Sequence, residues 1–284
     1  MSKTGFRKLP PMTALEFAIE QTFRNFFYSL RLALGWALVM SPLLIAAWFV
    51  SLRNGMPDLN ALPPVALGLF IAIAAVSLLA SFSIAVNWHR RILLGETPRR
   101  LGWVRLDGVV WRYLIGFVVV LIVPSIIVAA IFASITYLPS ALVQQLGPAS
   151  ANVGKALAAL LGLIALFTWY RLSTWLPAIA TRNKDYSFGT AWRTTRRNSM
   201  RYLGFTFWLI FGLAVAGAIG AGAYFGQQAL NNPWVTATAF AMIGILAWLA
   251  LFLLMTIATS HYFHFTSAEV EEDNLSPMTR PAAA

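Results

Sequence analysis

Residues 170–207 read YRLSTWLPAIATRNKDYSFGTAWRTTRRNSMRYLGFTF, and their reading decides the fold. The stretch leaves one apolar run, turns back through a basic segment and enters the next apolar run. In helical register Arg193, Arg196, Arg197 and Arg201 fall at i, i+3, i+4 and i+8 on one stripe, with Phe188, Trp192, Thr195, Tyr202 and Leu203 beside it. Ser187 stands where an N-cap belongs. A helix with that partition lies in a membrane interface, aromatic side down and arginines toward lipid phosphates, each contributing about 1 kcal/mol near an anionic surface. Basic cytoplasmic loops also carry such arginines for topology alone, with no ligand.

Working outward, the 284-residue chain is 59% hydrophobic and only 11% charged, with mean hydropathy +0.70. Soluble domains carry roughly 25% charge, so the composition is that of an integral membrane protein. The net charge of +11 does not point to nucleic acid, because the basic residues sit between long uncharged runs that suit a bilayer. Cysteine is absent, which excludes disulfides, thiol nucleophiles and thiolate metal sites. The amino-terminal residues lack a short apolar core with a small-residue cleavage site, so the first span is expected to stay in the membrane.

The apolar runs predict an all-α polytopic protein with six transmembrane helices, at about 32–50, 65–88, 113–137, 153–176, 202–225 and 234–260. A disordered basic tail (1–11) is expected before the membrane domain (12–265) and a disordered acidic tail (266–284) after it. Two further interfacial helices are predicted. One opens at the Thr13-x-x-Glu16 capping box, with Leu15, Ile19, Thr22, Phe23, Phe26 and Leu30 on its apolar face. The other opens at Thr97-Pro98, with Trp103, Leu106, Val110 and Tyr113 apolar and Arg105 and Arg112 basic. This map puts 19 of the 21 Lys and Arg residues on one side and leaves Arg53 and Lys155 on the other. The positive-inside rule makes the rich side cytoplasmic, with both termini inside; a bacterial inner membrane is the expected location.

The spans group into three parallel helical-hairpin repeats, each preceded by a basic interfacial helix. Arg112-Tyr113-Leu114-Ile115-Gly116-Phe117 returns as Arg201-Tyr202-Leu203-Gly204-Phe205, and Trp88-His89-Arg90 returns as Trp169-Tyr170-Arg171. Arg193, Arg196, Arg197, Arg201, Arg112 and Arg90 are therefore the candidate contacts for anionic lipid headgroups. Each outward span also carries a helix-weakening residue at one depth, namely Pro42, Pro124 and Gly212. They lie about 16 Å past the basic boundary, near the middle of a roughly 30 Å hydrocarbon core. Such kinks either frame a midplane site or let three hairpins pack around one another.

Chemistry-bearing sets are sparse. No Asp, Glu, Lys, Arg or His falls well inside a span on this map, which argues against a proton relay. Ser41, Ser125, Ser77, Ser81, Thr256 and Thr259 are the polar notes at depth, and such hydroxyls commonly bond back to their own helix or join neighbours. His89 reads as an interface residue, and His261 with His264 at i, i+3 is a weak metal pair. No cofactor is expected, and no catalytic set or phosphate-binding loop is visible.

Leu176-Pro177-Ala178, a short polar loop, then Ser187-Phe188, Ala191-Trp192-Arg193, Thr195-Arg196, Asn198 and Arg201 resemble the loop in the membrane domain of glycerophosphodiester phosphodiesterases. The same pattern occurs in six-span bacterial membrane proteins. The resemblance implies the six-span layout. The catalytic barrel of those enzymes is a separate soluble domain without a counterpart here, so their activity is not carried over. The expectation is a non-enzymatic inner-membrane protein that binds anionic lipid or a membrane partner; the competing class is a permease for a neutral or amphipathic solute using the midplane kinks.

Overall fold

A computed structural model describes residues 9–54, 63–98, 103–136, 150–196 and 233–266, together with 198, 200–202, 204, 217, 218, 220–222 and 225. Those residues are helical or irregular, with no strand among them. Eight helices are named in chain order: α1 (Pro11–Arg24), α2 (Phe26–Asn54), α3 (Pro64–Leu94), α4 (Gly108–Thr136), α5 (Ser150–Ser173), α6 (Trp175–Thr181), α7 (Phe188–Thr194) and α8 (Pro233–Thr266).

Among the described residues, five stretches are long and apolar enough to cross a membrane: Phe26–Val50, Pro64–Leu94, Gly108–Ala130, Ala158–Thr181 and Gly244–Thr266. They make the chain compatible with a multi-pass integral membrane protein. The fifth expected span, 202–225, falls mostly outside the described residues, and Gly212 with it.

Local chemistry explains the helix ends, and in three places it departs from the sequence expectation. First, α1 starts at Pro11 with no side-chain cap, rather than at the Thr13 capping box. Proline at the first helical position loses nothing, because that N–H has no intrahelical partner. Second, no helix opens at Thr97-Pro98: residues 95–98 are irregular, and α4 starts at Gly108 under a different cap. Asp107 Oδ1 accepts from Val109 N at 3.1 Å and Val110 N at 3.4 Å. Third, the basic stripe of 193–201 is not one helix. Ser187 caps α7 as expected, accepting from Thr190 N at 3.2 Å, but the helix stops after seven residues. Thr194 and Thr195 return their hydroxyls to Thr190 O at 2.9 Å and Ala191 O at 2.7 Å, and a turn follows. Back-bonding threonines weaken a helix, and Thr194, Thr195 and Asn198 are poor helix formers around the break. A new helical segment then takes Asn198 O as acceptor for Arg201 N and Tyr202 N at 2.9 and 3.1 Å.

α1 and α2 are nearly continuous, interrupted at Asn25, whose Nδ2 donates to Gln21 O at 2.9 Å. The buried face of α1 is small and polar, made of Ala14, Ala18, Gln21 and Thr22, and it runs along α8. The large apolar side chains of α1 point away from the bundle: Ile19 and Phe23 are exposed, and so is Phe27 at the start of α2, by 81%. Small side chains let α1 approach α8 closely, which leaves the large ones for lipid.

The core sits where α3, α4, α6 and α8 meet. Trp88 is fully buried, 6.2 Å from the Tyr28 ring and 4.6 Å from the Phe252 ring. α6 is wedged against α3 and α4 and buries Leu176, Pro177, Ala178 and Ala180. α4 approaches it at Gly116, where an added Cβ would lie 2.4 Å from Ile179 Cδ1. α6 ends at Arg182, a non-glycine residue at φ 61°, with Asn183 N donating to Ala178 O at 2.9 Å. That left-handed closure is usually given to glycine, so Arg182 holds it under local strain.

Candidate functional site

The polar side chains form two layers: a buried hydrogen-bond network in the bundle, and a basic surface beyond it. The network joins α1, α3, α4 and α8. Trp88 Nε1 donates to Thr256 Oγ1 at 2.8 Å, and Thr256 Oγ1 lies 3.2 Å from Thr22 Oγ1. His89, fully buried, has Thr259 Oγ1 at 2.7 Å from Nδ1 and Tyr113 OH at 2.9 Å from Nε2.

The hydroxyl partners fix the imidazole's tautomer. Thr259 gives its only proton to Met255 O at 2.8 Å, so it accepts from His89 Nδ1–H. Nε2 is then the acceptor, and Tyr113 O–H donates to it. A neutral ring with both nitrogens engaged is a joint between helices rather than a base aimed at a ligand. His89 is therefore inside the bundle, held between α4 and α8. Thr256 and Thr259 were visible as polar residues at depth, and Thr22, Trp88 and Tyr113 in faces and motifs of their own, but nothing in the sequence paired them, because they come from separate helices.

Beyond this network the polar contacts tie loops to helix ends. Arg90 donates from Nε to Glu96 Oε2 at 2.7 Å, from Nη2 to Glu96 Oε1, and from Nη1 to Ala180 O at 2.8 Å. The hydrogen bond from Arg90 holds the Glu96 carboxyl below the usual glutamate range. Arg171 reaches Thr195 Oγ1 at 3.2 Å and Trp192 O at 2.5 Å, with its guanidinium 3.4 Å from the centre of the Trp192 ring. Asn198 Oδ1 accepts from Leu9 N at 2.8 Å, and Arg201 Nη1 donates to Leu9 O, so Leu9 is clamped by both backbone groups. Tyr186 bonds Thr174 and Thr194, each at 3.1 Å, and burial pushes its phenol upward.

The six arginines singled out in the sequence thus divide. Arg90 and Arg201 are engaged inside the protein. Arg112, Arg193 and Arg196 are exposed, and none of them pairs with a carboxylate among the described residues. Arg197 lies outside the described residues. Arg193 donates from Nε to Gly189 O at 3.3 Å, within its own helix, and Trp192, also on α7, is 40% exposed with Arg171 stacked on its ring.

The kink residues divide as well. Pro42 is exposed and Pro124 buried. A proline cannot donate to the carbonyl four residues back, which for Pro42 is Leu38 O. Ser41 Oγ donates to that carbonyl at 2.8 Å, so the broken turn presents no open acceptor. Ser125 Oγ donates to Leu121 O at 2.9 Å. His261 and His264 are buried, and no group of three or more His, Asp or Glu capable of holding a metal occurs among the described residues.

Comparison with known protein families, characterised proteins and solved structures returns no match.

Proposed function

We propose that the chain is a six-span protein of a bacterial inner membrane, with both termini in the cytoplasm. In this reading it catalyses no reaction and binds anionic lipid headgroups at the exposed Arg112, Arg193 and Arg196. The observation that carries the lipid reading is the state of Arg193 and Arg196: exposed, without a carboxylate partner among the described residues, and flanking a half-open tryptophan. Arginine beside an interfacial aromatic suits the headgroup region, where the ring sits among glycerol groups and the guanidinium forks onto phosphate. The permease alternative draws no support from Pro42, whose freed carbonyl is already bonded.

The repeat reading is supported by matched contacts. His89 and Tyr170 hold the same position in the two Trp-x-Arg motifs. Their rings lie 5.6 Å from Tyr113 and 5.5 Å from Tyr202, the matching tyrosines of the two Arg-Tyr motifs. Arg90 and Arg171, also equivalent, each donate to a backbone carbonyl, Ala180 O and Trp192 O. Arg31-Leu32-Ala33-Leu34-Gly35-Trp36 extends the pattern to the first repeat, with Leu32 as fully buried as Tyr202.

The test is Arg193→Gln with Arg196→Gln. Phosphatidylglycerol retained through purification, read by native mass spectrometry, is expected to fall severalfold while the melting temperature in detergent stays within about 2 °C. Unchanged retention would leave these arginines a purely topological role.

A further inference from the structure

We infer that the acidic segment Glu269–Asp273 of this chain caps Arg193 and Arg196, in α7 and the turn after it, and competes there with anionic lipid; the competition rests on the lipid reading above, the contact does not. The last turn of α8 is seated beside α7: Tyr262 and Ala191 share one buried cluster with Tyr186 and Ala178, and Phe265 packs against it. Asn183 Nδ2 donates to Tyr262 OH at 2.8 Å, which fixes the helix end against the loop that leads into α7. Arg193 and Arg196 lie two and five residues past Ala191, the first on α7 and the second in the turn after it, and both are exposed.

Three residues further on, the sequence reads Glu269-Val270-Glu271-Glu272-Asp273, which holds four of the ten acidic side chains in a chain of net charge +11. Seven residues of chain reach at most about 24 Å, enough to bring all four carboxylates over α7. A short tether keeps the effective concentration of the acidic segment near the millimolar range, so individually weak ion pairs suffice to occupy the site. Lipid phosphate would have to displace the segment, which makes headgroup binding dependent on the local density of negative charge.

The absence of cysteine allows a direct test in the full chain. Gly189→Cys is tolerated on α7, where the added Cβ would meet only Ser187 Oγ at 3.9 Å. Combined with Val270→Cys, it is expected to form a disulfide under mild oxidation in phosphatidylcholine nanodiscs. Neutralising the segment (Glu269→Gln, Glu271→Gln, Glu272→Gln, Asp273→Asn) is expected to lower the yield about fivefold. Equal yields with the acidic and the neutral segment would overturn the inference and leave the lipid reading standing. Adding phosphatidylglycerol to the discs is expected to lower the yield for the acidic segment. A charge-dependent crosslink that ignores phosphatidylglycerol would keep the contact and overturn the competition with lipid.

Discussion

His89 Nδ1 lies 2.7 Å from Thr259 Oγ1, and the proton between them belongs to the imidazole. Thr259→Val keeps the shape and removes the acceptor, stranding a buried N–H. The expected cost is about 1–2 kcal/mol, read as a lowered melting temperature in detergent. In a His89→Phe background the same change is expected to cost little. Equal costs in both backgrounds would show that Thr259 matters through Met255 O or packing alone.

Glu96 gives a pH dependence with a definite sign. Its carboxyl is held below the usual range, first by the hydrogen bond from Arg90. The pairing therefore contributes stability above the unfolded pKa of about 4.3, and that contribution is lost as pH falls through the lower folded pKa. Melting temperature measured from pH 7 to pH 3 is expected to drop less steeply in Glu96→Gln than in the native chain. Parallel curves would mean that the pair is as strong in the unfolded chain.

At the two prolines the serines are expected to differ. Ser41 supplies the hydrogen bond that Pro42 withholds from Leu38 O, whereas Leu121 O can also be reached by the backbone N–H of Ser125 itself. Ser41→Ala should destabilise by about 1 kcal/mol and Ser125→Ala by a few tenths. A thermal-shift comparison of the two variants decides it; a larger effect at Ser125 would contradict the assignment.

Orientation can be tested with single cysteines in the native cysteine-free background. Lys184 is exposed in the loop before α7 and is a better site than Ser187, whose hydroxyl caps that helix. With the outer membrane permeabilised, an impermeant maleimide is expected to label Asn60→Cys in intact cells and Lys184→Cys only after lysis. Labelling of Lys184→Cys in intact cells would reverse the topology.

Short-range physics made much of this protein legible in its residues. Uncharged runs of eighteen or more residues dictate membrane-crossing helices, because backbone groups in hydrocarbon must bond within their own segment. The Ser187 cap followed equally from local chemistry. Tertiary structure decided where the polar side chains go. Arg90, Arg193 and Arg201 look alike in the sequence, yet Arg90 reaches Ala180 O and Arg201 reaches Leu9 O, while Arg193 stays exposed. The stripe that ran through Arg201 broke at Thr195 because a turn there lets Asn198 and Arg201 meet the amino-terminal segment. The Thr97-Pro98 helix gave way to the Asp107 cap. His89 found Thr259 and Tyr113 across 170 and 24 residues of chain. A cap or a span is fixed by neighbours within a few residues, but the partner of a buried polar group is set by which helices come together, and no local pattern encodes that distance.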